Sequence, residues 1–308
     1  MGKYSPEYLT GMKREPMTMK FVHRAISNGA ILEALVTSCD DDLTLKLELG
    51  KGIYGYVPFE DIEYRHDNSE IKDITALSKV GRHIKFKMIS FSKEDGQIKV
   101  HCSRKEAQKD CYENYISKLS PGDITDARIV RIENYGVFCD IGCGFVALLP
   151  TNNISVTHVV NPKELLENIS RLKVVVKEIN TDGKIQLTHK ELLGTWAEEA
   201  SKFSRGDTVC GAVLSVEEYG VFIRLSQNLS GLAAPTQDIK INTGDLVSVR
   251  INSISDKSMK IKLTIIDKID NCSESVRFKY YKTEGNIKEW VYSDTGKKRI
   301  STTFRGEK

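Results

Sequence analysis

The chain has 308 residues, 40% of them hydrophobic and 28% charged, with a formal net charge of +3. That balance excludes a disordered polyelectrolyte and leaves room for two or three globular domains. No stretch reaches the roughly 18 apolar residues that span a bilayer, and the first residues lack the apolar core of a secretory signal, so a cytoplasmic protein with no membrane partner is expected.

Residues 1–27 read as an N-terminal extension. In residues 28–105, LTLKLELGKGIYGYVP alternates apolar and polar positions around Gly50 and Gly52, and VGRHIKFKMISF with GQIKVHCS supplies further strands. Ala107, Cys111, Tyr115 and Leu119 then recur at the spacing of one helical stripe, which predicts a helical linker over 106–118. Residues 119–192 open with Gly122-Asp123 and carry RIENYGVF, CDIGCGFVALLP, RLKVVVKEI and KIQLTHK. Leu193, Trp196, Ala200 and Phe203 mark a second helical linker over 193–203. Residues 204–267 repeat the pattern with Gly206-Asp207, SVEEYGVF, IRLSQNLSGLAAP, DLVSVRINSI and KIKLTI. From Arg277 to Lys308, within a segment spanning 268–308, nine Lys or Arg face four Asp or Glu, interleaved with Phe278, Tyr280, Tyr281, Trp290, Tyr292 and Phe304. The alternation there fits a small β-appendage with the rings in its core, and the charge fits a nucleic-acid surface; both readings stand open.

Each repeat offers about five short strands, a number that suits a closed barrel because closure removes exposed strand edges. The expected fold is all-β: three tandem five-stranded barrels joined by short amphipathic helices, with a small β-rich C-terminal appendage. If Val137, Cys139 and Ile141 face inward, period two turns Phe138 outward, and Phe222 stands likewise against Val221, Ile223 and Leu225. Aromatics in strands are usually core. An outward Phe recurring beside Tyr135 and Tyr219 favours a stacking platform instead, since a flat ring accepts any base at about 1–3 kcal/mol each. Aligning Gly50, Gly52 and Pro58 with Gly142, Gly144 and Pro150 puts Leu43 and Lys46 where Tyr135 and Phe138 stand, so the first repeat keeps the barrel and loses this aromatic pair.

In this order, Gly-Asp, Tyr-Gly-Val-Phe, Asp-x-Gly, an LLP segment and a closing Gly-Lys-Ile-x-Leu-Thr resemble the S1 RNA-binding domain, the module repeated in tandem in the bacterial ribosomal protein that gives it its name. The resemblance covers all three repeats and is closest in the second. It implies an OB-type barrel whose RNA face carries the two motif aromatics, a histidine after the third strand, and an acidic and a basic residue near the last hairpin. The RNA-binding residues it implies are Tyr135, Phe138, Asn180 and Lys184 in the second repeat, and Tyr219, Phe222, Asp256 and Lys260 in the third. The histidine position is Pro58, Pro150 or Ala234, and the basic position of the first repeat aligns with Gln97. Asn180 also fits a plain turn, in Asn-Thr-Asp-Gly.

The implied function is sequence-tolerant binding of single-stranded RNA, mRNA above all, in translation. The implied partner is the 30S ribosomal subunit, through the N-terminal region, with the first barrel free to contact protein. Two alternatives are an accessory factor of RNA turnover or transcription, and a protein-interaction scaffold whose barrels no longer bind RNA. No P-loop or nucleophile elbow occurs, so neither catalysis nor a small-molecule substrate is expected. Cys39, Cys102, Cys111, Cys139, Cys143, Cys210 and Cys272 lack CxxC spacing and read as reduced thiols; no metal or other cofactor is expected.

Overall fold

Apolar alternation closes into a barrel three times along this chain. The computed structural model describes residues 3–7, 17–50, 52–65, 70–94, 96–159, 161–180, 183–235, 239–269, 278–294 and 299–305. Strands β1 (Ile31–Cys39), β2 (Leu45–Gly50), β3 (Ile53–Val57), β4 (His83–Glu94) and β5 (Gln97–Ser103) form the first barrel, in the order β1-β2-β3-β5-β4. The second takes β6 (Ile124–Glu133), β7 (Gly136–Asp140), β8 (Val146–Pro150), β9 (Arg171–Ile179) and β10 (Ile185–Thr188). The third takes β11 (Thr208–Glu217), β12 (Gly220–Ser226), β13 (Leu229–Ala233), β14 (Leu246–Ser255) and β15 (Lys260–Lys268). In each, the third strand pairs parallel with the fifth, which closes the barrel. A hairpin of β16 (Glu289–Asp294) and β17 (Arg299–Thr303) forms the β-rich appendage.

Two compact units result, Met1–Leu119 with Asp140–Val146, and Ser120–Cys139 with Ala147–Lys308. Within the first, helix α1 (Met19–Asn28) lies in the N-terminal extension. Thr18 caps it by accepting a hydrogen bond from the Phe21 amide at 3.2 Å, Gly29 ends it in a left-handed conformation, and Val22 and Ala25 join the barrel core. A short helix α2 (Asp73–Leu77) precedes β4, and α3 (Arg104–Asn114) follows β5, burying Ala107 and Cys111 as its stripe predicts.

Arg104 and Gln108, on the same helix, are also buried: Gln108 accepts from the Tyr64 amide at 2.9 Å and donates to the Cys143 carbonyl at 3.0 Å, and Arg104 is held by an ion pair. The Arg104 guanidinium donates to both oxygens of Glu7, at 2.7 and 3.1 Å, and to the Ile62 carbonyl at 3.1 Å. Asp140 accepts from the amides of Glu7, Gly142 and Gly144 at 2.7, 2.8 and 3.1 Å. Burial works against both carboxylates. The guanidinium nevertheless holds Glu7 below the usual range, whereas burial and the Glu7 charge push Asp140 up to about 7. A side chain at position 144 would put its Cβ 2.0 Å from the guanidinium, and the backbone there has φ +82°, so Gly144 is fixed twice over.

In the second unit, α4 (Pro162–Leu166) precedes β9, and the second linker helix, α5 (Trp196–Ala200), is a short turn with a Thr195–Glu198 capping box. Trp196 and Ala200 enter a core shared with the third barrel and the appendage.

Candidate nucleic-acid interface

The Tyr-Gly-Val-Phe motif lies at the start of the second strand in both later barrels. Val137 and Cys139 are buried and Phe138 is half-buried on the outer side of β7; Val221, Ile223 and Phe222 repeat this on β12. Tyr135 is 60% exposed and Tyr219 67%. The rings of Tyr135 and Phe138 stand 6.1 Å apart at 89°, and those of Tyr219 and Phe222 6.1 Å apart at 85°. Each pair is a T-shaped corner with one ring open to solvent. The intervening glycine has a steric cause. A Cβ at Gly136 would sit 2.7 Å from the Leu149 carbonyl oxygen, and one at Gly220 2.6 Å from that of Ala233. The Arg131 guanidinium lies 4.7 Å from the centre of the Phe138 ring, adding a cation to the corner.

Lys184 and Lys260, at the head of the fifth strand, are exposed, as are Asn180 and Asp256 in the preceding hairpins. Asn180 closes its hairpin through the backbone, its amide donating to the Lys184 carbonyl and its carbonyl accepting from Gly183, both at 2.9 Å. Exposed His158 and half-buried Pro150 bring no imidazole onto the platform strand.

Two features of the first barrel escape sequence alignment. Its fifth strand pairs Tyr56 with His101, where the second barrel pairs Leu148 with Gln186 and the third Leu232 with Lys262. Counting back along that strand, the residue matching Lys184 and Lys260 is Lys99. The assignment of Gln97 is therefore corrected: β4 and β5 run to 12 and 7 residues, so the hairpin extends further than its counterpart and Gly96 stands off the rung of Gly183. The second feature is that aromatics are present on this outer face, as Tyr54 and Tyr56 of β3.

For the C-terminal rings the core reading holds at Trp290, Tyr292 and Phe304, which are buried. Cys272, Arg277, Lys297 and Lys298 lie outside the described residues. The segment straps the second barrel to the third. Gly285 and Ile287 exchange backbone hydrogen bonds with Ile124 and Gly122 at 2.9 and 2.8 Å, and the Asn286 amide donates to Asp123 at 2.8 Å. At the other end the Tyr292 hydroxyl donates to the Asn228 carbonyl at 2.6 Å. Buried Asn228, at the tip between β12 and β13, spends its side chain on the second barrel's flank: Nδ2 donates to the Gly194 carbonyl at 2.9 Å and Oδ1 accepts from the Val156 amide at 2.8 Å.

His189 sits beneath this strap between Phe278 and Tyr280, with ring centroids at 4.6 and 5.6 Å. Its Nδ1 faces the Ile154 carbonyl at 3.0 Å and so carries the proton, while burial lowers the pKa to about 4. Between that value and the unfolded 6.5 the unfolded chain binds more protons, so stability falls as pH drops through this window, by about 3 kcal/mol in total. His189→Asn is expected to flatten that slope in urea titrations between pH 7 and 4; an unchanged slope would assign the acid sensitivity elsewhere.

A family model described as S1 RNA binding domain matches residues 118–190. The sequence is 28% identical to small ribosomal subunit protein bS1 of Staphylococcus epidermidis, over 82% of this chain and 66% of that protein. It is 25% identical to the Staphylococcus aureus (strain COL) protein of the same name, over 80% of this chain and 63% of the relative. The chain thus spans just under two thirds of the length of these relatives. A solved multidomain protein with nucleic acid binding domains from Streptococcus pneumoniae matches 80% of this chain and 76% of its own, at 12% identity and a TM-score of 0.25, too low to support a conclusion.

Proposed function

We propose that this chain, whose second barrel is an S1 RNA-binding domain, binds single-stranded RNA in translation without strong sequence preference. The observation that carries the proposal is the recurrence of one ring corner, Tyr135 with Phe138 and Tyr219 with Phe222, at the same separation and nearly the same angle on two barrels of one compact unit. Bases stack on the exposed tyrosine faces and against the phenylalanines. Lys184 and Lys260 take phosphates, and Asn180 and Asp256 lie where a base edge or sugar passes. Stacking ignores base identity, so mRNA of any sequence is a substrate for the platform. Similarity to the ribosomal relatives supports the small ribosomal subunit as the partner and the cytoplasm as the place; that residues 1–105 are the attachment region is our own assignment.

The test is a fluorescence-anisotropy titration of labelled single-stranded RNAs of unrelated sequence with the full chain at two salt concentrations. Affinities within a few-fold of each other are expected, with log K falling against log salt at about 0.7 per phosphate contacted. Absence of binding at micromolar protein would defeat the proposal. Cross-linking of the full chain on 30S subunits then reports attachment; cross-links that avoid residues 1–105 would remove that region from the role.

A further inference from the structure

The face of the first barrel formed by β2, β3 and β5 carries a groove of about 960 Å³, lined among others by Lys46, Glu48, Tyr54, Tyr56 and Lys99. This is the same barrel face that bears the ring corners in the second and third barrels, and comparison of the rungs shows an exchange. In the third barrel one rung reads Phe222, Leu232, Lys262 across the three strands. In the first it reads Lys46, Tyr56, His101. The aromatic has moved one strand over and a cation occupies its former place. The neighbouring rung reads Glu48, Tyr54, Lys99, which adds a second ring on the same side.

Both tyrosines face outward because Ile53, Gly55 and Val57, between and beside them, are buried. Tyr54 is 47% exposed and Tyr56 36%. Tyr56 stacks on the His101 imidazole with centroids 5.4 Å apart and planes at 12°. The imidazole is held in turn: its Nε2 lies 2.7 Å from Asp61 Oδ2, and Asp61 Oδ1 accepts from the Ser103 hydroxyl at 3.0 Å. Two parallel rings fixed by a carboxylate form a preorganised stacking surface that loses little side-chain entropy on binding.

We infer that this groove binds the bases of a single-stranded RNA, on Tyr54 and on the Tyr56–His101 stack, as a third site on a displaced platform. The inference rests on the proposal that the corresponding faces of the second and third barrels bind RNA. It adds an RNA role to the first repeat, which the loss of its aromatic pair left free to contact protein. Charge sets the character of the site. Lys46 lies 3.9 Å from Asp40, Lys99 is ion-paired with Glu94, and Glu48 stands on the same face. Two lysines against three carboxylates leave the groove with no net positive charge for phosphates, so stacking carries the affinity and its salt dependence is shallow.

The experiment uses the full chain and a variant with Tyr135, Phe138, Tyr219 and Phe222 all changed to Ala. Both are photo-cross-linked to a thiouridine-substituted oligonucleotide, and adducts are mapped by mass spectrometry. Adducts on peptides containing Tyr54, Tyr56 or His101 are expected in both proteins. Adding Tyr54→Ala and Tyr56→Ala to the variant should weaken its residual binding by about a hundredfold, as loss of two stacked bases towards the lower end of about 1–3 kcal/mol each requires. The melting temperature should hold, since both rings are open, and Tyr56→Phe should retain binding. Adducts confined to the second and third barrels overturn the inference and leave the proposed function intact. A chain with no adduct on any barrel sinks both. If Tyr54→Ala with Tyr56→Ala leaves RNA affinity unchanged but abolishes cross-links to ribosomal proteins, the groove is a protein site and the inference is wrong.

Discussion

Changing Tyr135, Phe138, Tyr219 and Phe222 together to alanine is expected to weaken single-stranded RNA binding by about 4 kcal/mol, roughly a thousandfold, while the chain stays folded. Four rings at about 1–3 kcal/mol each set the scale, and the lower end applies because the rings of one corner touch and their losses do not add. Folding survives because the tyrosines are mostly in solvent and the phenylalanines only half-buried. Their truncation costs about 1–2 kcal/mol each, well short of a core deletion. Anisotropy titration alongside circular dichroism reads both quantities. Equal affinity in a folded variant would mean that the corners are decoration, and the strap or the first barrel would then carry the RNA. Because the corners match, changing either pair alone should cost a similar amount, whereas a single working corner would give one large and one negligible loss.

Arg104→Leu is expected to destabilise the first unit by about 3–5 kcal/mol, because it leaves Glu7 charged and buried without the guanidinium that binds both its oxygens. Glu7→Leu in the same chain should recover part of the loss, since an apolar pair leaves no orphan charge. The pH dependence has a definite sign. Asp140 titrates near 7 in the folded chain and near 3.8 unfolded, so between those values the folded state binds more protons and stability falls as pH rises. Removing the guanidinium raises Asp140 further, and the Arg104→Leu deficit should be larger at pH 8 than at pH 5. Urea denaturation at the two pH values measures this; a deficit below about 1 kcal/mol at both would show that the pair is not structurally important.

The barrels were readable because period-two alternation and Gly-Asp turns are local signals, and the Tyr-Gly-Val-Phe repeat marked the outer face through alternation alone. The groove of the first barrel was not. Tyr54 and Tyr56 share a face with the lost platform only through strand register, and that register depends on the length of the β4–β5 hairpin, which misplaced Lys99 onto Gln97. Helix α1 did leave local marks, Thr18 and Gly29, but without a repeat to draw attention to them. The partnership of Glu7 with Arg104, 97 positions apart, has no local signature at all. Nor did the charge of the C-terminal segment announce that its rings cap a core, because basic strands with alternating aromatics look the same on a surface and in a hairpin.

The strap also has a consequence in time. A ribosome makes this chain from its N-terminus, so both later barrels are complete before residue 278 exists. The pairing of Asn286 with Asp123, 163 positions apart, is a strongly non-local contact that cannot form before Asn286 has been made. Until then the nascent second unit is two barrels with an open seam where Trp290, Tyr292 and Phe304 belong, and His189 still lacks its cover. The core that Val175 and Leu192 share with the third barrel is therefore complete only after Trp290, Tyr292 and Phe304 have been made.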